Sequence, residues 1–218
     1  MCPYGQTQNI KERKMLEKLA YSLGRNDEEP NIALAKELAG TKNKKGIKEI
    51  VDGLNNTKEQ IANDCIKVLY EIAAISPELV SEYAESFIQL LKSRNNRLVW
   101  GSMTALAKIV FLNPDEIYKN LDIIVKAYEK GSVITVDNSI SVFAELIKAN
   151  KKYEKKVFPI IIGHLEKCRP KEVGQHAERA FVCINKNNSQ EYKETLLKRQ
   201  KSLTEAQKKR VDKLLSKL

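Results

Sequence analysis

A 37-residue step recurs along the middle of this chain and constrains its fold more than any single residue does. The segments that begin at Ile61, Leu98 and Thr135 start 37 residues apart, and a fourth, beginning at Val173, follows after 38. A fixed period of this size is typical of solenoids, in which each repeat buries its apolar face only against its neighbours. The period therefore predicts a stack of similar units, each made of two helices.

Each repeat reads as two helices joined by a short turn. Apolar residues within 79–91 fall three, four or seven apart, as on one face of a helix. Ser76-Pro77 and Asn113-Pro114 are helix-start signals, because a proline at the first helical position has no N–H to leave unpaired. The second helices supply the expected core, which comprises Ile66, Leu69, Ile72, Met103, Leu106, Ile109, Ile140, Phe143 and Leu146, and in the fourth copy Glu178, Phe181 and Ile184.

The chain is predicted to be all-α, since runs of alternating β-branched residues are short. One domain over 1–218 is expected, with units at about 10–40, 43–75, 78–112, 115–149 and 152–186 and a C-terminal cap at 189–218. No apolar run reaches the length of a membrane span. The absence of a secretory signal and of paired cysteine motifs predicts reduced thiols and a cytoplasmic location.

The second-helix pattern resembles that of HEAT repeats, members of the armadillo-like superfamily. Val99, Ser102, Ala105, Leu106 and Ile109 fit the HEAT pattern, and Trp100 stands where that pattern usually has arginine. The resemblance covers roughly residues 43–186. It implies a right-handed α-α superhelix of about five helix pairs plus terminal helices, with the second helices lining a concave groove.

The alignment of the repeats predicts which side chains would face that groove. Positions four and eight residues apart share one face of a helix, so equivalent positions should form a ladder. The predicted partner-binding residues are Asn63, Lys67, Trp100, Thr104, Lys108, Asp137, Ser141 and Arg179. Trp100 is the only tryptophan and the predicted anchor, because tryptophan is enriched in binding hot spots. The alternative is that Trp100 folds over a neighbouring helix as a peripheral core residue.

The excess of positive charge lies entirely in the last third of the chain. Residues 148–218 carry 19 basic and 8 acidic side chains, whereas residues 1–147 carry 19 and 20. Such an excess attracts phosphate backbones, although it equally suits a solvated end cap. The candidate nucleic-acid contacts are Lys151, Lys152, Lys155, Lys156, Lys198, Arg199, Lys208, Lys209 and Arg210. Some HEAT-like solenoids are DNA alkylation-repair glycosylases, which hold damaged DNA in the concave groove with Trp, Asp and Arg residues. That resemblance implies that Trp100 and Asp137 would contact DNA in the groove.

No phosphate loop, nucleophile elbow or zinc-protease motif is present. His164 is expected to pack or cap a helix, and His176, Cys183 and Glu178 are spaced wrongly for a shared zinc site, so neither a metal nor a cofactor is expected. The sequence therefore predicts a non-enzymatic scaffold that binds a protein partner, with nucleic-acid binding, possibly with glycosylase chemistry, as the alternative. It leaves the oligomeric state open.

Overall fold

The computed structural model describes residues 14–218, and every regular element within them is a helix. This confirms the predicted all-α class. The chain divides into two compact units, Met1–Asn113 and Pro114–Leu218, called unit 1 and unit 2 here. The α-helices of unit 1 are α1 (Glu29–Gly40), α2 (Lys44–Asp52), α3 (Glu59–Ile75), α4 (Ala84–Leu90) and α5 (Asn96–Ile109). Those of unit 2 are α6 (Pro114–Lys119), α7 (Leu121–Lys130), α8 (Val133–Ala149), α9 (Glu154–Lys167), α10 (Pro170–Ala180), α11 (Ser189–Gln200) and α12 (Glu205–Leu215).

The second helices of successive repeats keep a constant step along the chain. Helices α3, α5, α8 and α10 begin at Glu59, Asn96, Val133 and Pro170, which are 37 residues apart. Each packs against the helix that precedes it, and α11 with α12 forms a fifth pair. Four of these pairs lie within the predicted units 43–75, 78–112, 115–149 and 152–186, and α11 with α12 lies within the predicted C-terminal cap. None of the described helices has the length and apolar character needed to span a bilayer.

The assignment of 1–218 to a single domain stays a prediction. Residues 10–13, at the start of the first predicted unit, lie outside the described part of the chain.

In unit 1, α3 lies between α1 and α5. Helix α2 packs against α3, and α4 packs against α5. Ile66, Leu69 and Ile72 of α3 have no exposed surface. Burying a side chain of this size stabilises the fold by about 1.5–3 kcal/mol, so these positions hold the repeat together. Gly101 of α5 brings the two helices close, because a Cβ atom there would lie 2.6 Å from Ile66 Cγ1.

In unit 2, α8 packs against α7, α9 and α10, and α12 covers α10. The Ser132 hydroxyl caps α8 by accepting from the Thr135 N–H. Thr204 caps α12 and forms a reciprocal capping box with Gln207.

The core of the fourth repeat differs by one residue from the prediction. Ala177, Ala180 and Cys183 are buried, each 37 residues after its equivalent in α8. The predicted Glu178, Phe181 and Ile184 are instead exposed or half-buried. The prediction placed this repeat at a step of 38, whereas α10 keeps the step of 37, so each predicted core position lies one residue too late. The true core side chains are small, and Phe181 and Ile184 at the next positions are bulky residues that resemble core residues.

Candidate partner-binding face

Six side chains from the start of α1, from α3 and from α5 gather on the second-helix side of unit 1. This group, called the Trp100 cluster, consists of Glu28, Lys67, Tyr70, Glu71, Arg97 and Trp100. Local spacing explains the grouping, since residues three or four apart share a helix face. Lys67, Tyr70 and Glu71 meet this condition on α3, and Arg97 and Trp100 meet it on α5.

The charged members of the cluster neutralise one another. Lys67 Nζ lies 2.9 Å from Glu28 Oε2 and 2.7 Å from Glu71 Oε1. Arg97 donates to the other oxygen of Glu28. Burial alone would raise the pKa of Glu28, but the hydrogen bonds from Lys67 and Arg97 outweigh it and lower that pKa below its usual value. The carboxylate is therefore ionised at neutral pH.

The two aromatic rings of the cluster are held in place by each other and by these cations. The ring centroids of Tyr70 and Trp100 are 5.6 Å apart and the planes are tilted by 47°. The Lys67 ammonium lies 4.8 Å from the Tyr70 centroid, and the Arg97 guanidinium carbon lies 5.3 Å from the Trp100 centroid. Both distances fall in the range of cation–π attraction. Trp100 is partly exposed, so an ordered ring keeps some surface that a partner can contact.

The groove residues predicted in unit 1 are less exposed than expected. Lys67 is only 6% exposed, because its ammonium is held by two carboxylates. Asn63 is half-buried and accepts a hydrogen bond from Asn95 Nδ2 at 2.8 Å. The Thr104 hydroxyl donates to the Trp100 carbonyl oxygen at 2.8 Å. Of the five predicted residues in this unit, Lys108 alone is classed as exposed. The structure brings Lys67 and Trp100 into one cluster, with Tyr70 between them.

The predicted groove residues of unit 2 are engaged in hydrogen bonds between α8 and α10. Asp137 accepts from Gln175 Nε2 at 2.9 Å and lies 2.6 Å from His176 Nε2. Arg179 Nη1 donates to Ser141 Oγ at 2.7 Å. Both Asp137 oxygens are therefore engaged within the unit. This arrangement counts against the use of Asp137 as a groove carboxylate in a glycosylase.

A buried pair of histidines in unit 2 was not expected from the sequence. His164 Nε2 on α9 lies 2.7 Å from His176 Nδ1 on α10. His164 Nδ1 lies 2.9 Å from the Tyr128 hydroxyl. His164 thus bonds to two polar groups, rather than simply packing or capping, and His176 pairs with His164 instead of with Cys183.

Burial lowers the pKa of His164 to about 4, so its imidazole is neutral at neutral pH. With Asp137 as the final acceptor, one assignment of donors and acceptors satisfies all three hydrogen bonds that link Tyr128, His164, His176 and Asp137. Tyr128 donates to His164, His164 donates to His176, and His176 donates to Asp137. The sequence signal for this pairing is the spacing His164-x3-Cys168-x7-His176, which crosses the two-residue connection between α9 and α10.

More than half of the basic residues proposed to contact nucleic acid already have partners in unit 2. Lys152 pairs with Asp115, Lys156 with Asp122, Lys208 with Glu205 and Arg210 with Glu178. Arg199 donates to the carbonyl oxygens of Glu166 and Cys168. The remaining four, which have no carboxylate partner among the described residues, are Lys151, Lys155, Lys198 and Lys209. The free positive charge is therefore smaller than the sequence count indicates.

Comparison with solved structures identifies the class of fold. An engineered protein is 18% identical with a TM-score of 0.62, and the match covers 94% of each chain. A computationally designed armadillo repeat protein for modular peptide recognition is 17% identical with a TM-score of 0.62, covering 94% of this chain and 98% of that one. The karyopherin Kap121p, bound to Pho4p, is 15% identical with a TM-score of 0.64, covering 92% of this chain and 22% of that one. No protein-family model and no curated sequence matches the chain.

The fold is that of an α-solenoid built from repeated helix pairs. Within that class it is a HEAT/armadillo-like solenoid, as the resemblance of the second helices implied. The chain spans about a fifth of the length of Kap121p.

Proposed function

We propose that this protein is a non-enzymatic scaffold that binds an extended segment of a protein partner on the second-helix side of unit 1, with Trp100 as the anchor. The observation that carries the proposal is the partly exposed Trp100 ring, which is ordered by contacts with Tyr70 and Arg97. A large side chain that is already ordered loses little conformational entropy on binding. Such aromatic and arginine side chains dominate hot spots in protein interfaces.

The charge of the Trp100 cluster favours a peptide over a phosphate backbone. Two carboxylates, Glu28 and Glu71, balance two cations, Lys67 and Arg97, so the cluster has no excess positive charge. Nucleic-acid affinity rests on cations that displace condensed counterions, and paired cations contribute little to this exchange. A peptide requires only local donors, acceptors and an apolar contact.

The structural neighbours also favour a protein partner. Kap121p is seen bound to Pho4p and to Nup53p, and armadillo repeats have been designed for modular peptide recognition. These are properties of those proteins, and they support the same class of activity here. The described cysteines Cys65, Cys168 and Cys183 are free thiols, which supports the cytoplasmic location that we propose with it.

The test is a selection of peptides from a displayed random library on the full chain, followed by calorimetry on the winners. We expect Trp100→Ala to weaken binding at least about tenfold, which is the loss of an anchor residue. Phe111→Ala is the matched control, because Phe111 is another exposed aromatic of unit 1, at 53% exposure, outside the Trp100 cluster. Its affinity should stay within about twofold of wild type. Equal affinity of Trp100→Ala and wild type would contradict the proposal, as would a failure to select any peptide.

A further inference from the structure

The fourth repeat carries buried histidines at two positions where the preceding repeat holds small side chains. The residues that precede His176 by multiples of 37 are Ser139, Ser102 and Cys65, and none of the four has exposed surface. The residue 37 before His164 is Ala127, which is also buried. Placing two imidazoles in a protein interior carries a desolvation penalty that alanine avoids. The neighbouring repeats therefore show that the fold itself does not require histidine here.

The two imidazoles and a thiol converge on one point. Cys168 follows the end of α9, four residues after His164, and one ligand atom each from His164, Cys168 and His176 lie within 4.8 Å of one another. Nitrogen and sulfur donors of this kind suit zinc and its neighbours among the transition metals. The connection that carries Cys168 is only two residues long, so the thiol stays close to the histidine pair.

The outer nitrogens of both rings have hydrogen-bond partners, and that of His176 is held as in metal sites. His176 Nε2 bonds to Asp137 Oδ1 at 2.6 Å, and His164 Nδ1 bonds to the Tyr128 hydroxyl at 2.9 Å. A metal-ligating histidine almost always donates its second ring N–H to a carboxylate or another acceptor, which fixes the ring and raises its basicity. The carboxylate–histidine pair of Asp137 and His176 has this arrangement.

We propose that His164 Nε2, His176 Nδ1 and Cys168 Sγ bind a divalent transition-metal ion, with Zn²⁺ as the ion that best suits the donors. Zn–N and Zn–S bonds of about 2.0–2.3 Å in a tetrahedron place two nitrogens about 3.3 Å apart. The two ring nitrogens are 2.7 Å apart, so they must separate by roughly half an ångström to admit the ion. Three protein ligands leave a fourth position for water or an exogenous group. The site does not depend on the peptide-binding proposal.

Coordination changes the hydrogen bonds in a defined way. The proton on His164 Nε2 must leave that atom, and the neutral ring then carries its proton on Nδ1 and donates to the Tyr128 oxygen. His176 keeps its proton on Nε2 toward Asp137. The Cys168 thiol releases its proton to solvent and binds as thiolate. One proton therefore leaves the protein for each ion bound, and no redox partner is needed.

The test uses the full chain, stripped with a chelator and titrated with Co²⁺ as a spectroscopic substitute for Zn²⁺. We expect one Co²⁺ per chain, visible bands of a tetrahedral ion, a thiolate-to-cobalt charge-transfer band, and displacement by Zn²⁺. Cys168→Ser should remove the charge-transfer band and weaken the affinity at least about tenfold, since it replaces a soft thiolate by a hydroxyl. Asp137→Asn should weaken the affinity about 10–100-fold while keeping that band.

Cys183→Ser is the matched control, because Cys183 is another thiol of unit 2, and it bonds to the Ala180 carbonyl outside the cluster. It should keep both the stoichiometry and the charge-transfer band. Thermal unfolding of the metal-free variants checks that each one folds, and Zn²⁺ should raise the melting temperature of wild type more than that of Cys168→Ser. Failure of the wild-type chain to retain stoichiometric Co²⁺ or Zn²⁺ would overturn the proposal. Persistence of the charge-transfer band in Cys168→Ser would overturn it as well.

Discussion

Lys67 holds two carboxylates, Glu28 and Glu71, with an ammonium group on a side chain that is 8% exposed. Taking a cation out of water is costly, and the pairing offsets this cost only while both partners remain. Glu28 keeps 42% of its side-chain surface and Glu71 keeps 28%, so both can be rehydrated in part if the lysine is removed. At the residue scale, the stability of unit 1 therefore depends on one buried charge.

Replacing Lys67 by Met tests this dependence. We expect the free energy of unfolding to fall by about 1–3 kcal/mol, because two carboxylates lose their main partner inside the cluster. Lys48→Met is the control, since Lys48 pairs with Asp52 where both side chains are about two-thirds exposed, and it should have a much smaller effect. Urea unfolding followed by circular dichroism measures both, and equal losses would contradict the buried-pair account.

At the scale of helices, unit 1 is held together by close contact between α3 and α5 and by a carboxylate that joins three elements. Gly101 permits the close contact, since a Cβ atom there would overlap Ile66. Glu28, just before α1, binds Lys67 on α3 and Arg97 on α5. The same two features position Tyr70 and Trp100 beside each other. The geometry of the proposed binding face is therefore a product of helix packing, and loosening the packing should disturb the face.

Gly101→Ala should destabilise the protein by about 1–3 kcal/mol through overpacking, despite the better helix propensity of alanine. Gly163→Ala in α9 is the matched control, because a Cβ atom there meets nothing within 4 Å. That change should raise the free energy of unfolding by up to about 1 kcal/mol. Thermal or urea unfolding distinguishes the two, and a stabilising Gly101→Ala would contradict the packing described for α3 and α5.

The lowered pKa of Glu28 makes part of the stability dependent on pH. A carboxyl whose pKa is lower in the folded state stabilises the fold above its unfolded value, near 4.5, and this contribution disappears as pH falls through the folded pKa. The difference in unfolding free energy between wild type and Glu28→Gln should therefore be constant above about pH 5.5 and shrink below pH 4.5. Glu82→Gln is the control, because Glu82 is exposed and forms no ion pair with any residue of 14–218. A difference that grows on acidification would contradict the account.

For the molecule as a whole, the sequence predicted the architecture well because the same spacing of apolar residues recurs in several repeats. Second helices that start 37 residues apart follow from the spacing alone, and nine predicted core positions in α3, α5 and α8 are all buried. The fourth repeat shows the limit of this reasoning. Its core is made of small side chains, and the register predicted for it was wrong by one residue.

The candidate site was less predictable than the fold, because a helical face does not specify what packs over it. Lys67 was expected at the surface, and contacts with Glu28, 39 positions earlier in the chain, bury it. The histidine pair was missed for a similar reason. His164 and His176 lie on different helices, and only the short turn between α9 and α10 brings their rings together.

The net charge of +10 on the whole chain also overstates how strongly the protein should attract nucleic acid. Many of the basic side chains in unit 2 pair with carboxylates or carbonyl oxygens of the same unit. We therefore expect any affinity for duplex or single-stranded DNA to be weak and to fall steeply between low and moderate salt. A mobility shift measured at both ionic strengths checks this. Tight binding that survives moderate salt would favour the nucleic-acid alternative.

The most direct test of peptide binding uses the single tryptophan as a reporter. In protein labelled with nitrogen-15 at tryptophan, Trp100 gives the only indole N–H resonance. A library-selected peptide and a DNA duplex would be titrated separately at moderate salt. We predict that the peptide shifts the indole signal to saturation, in step with its calorimetric affinity, and that DNA leaves it unchanged. A signal that responds to DNA and is unaffected by a bound peptide would contradict the proposed anchor role of Trp100.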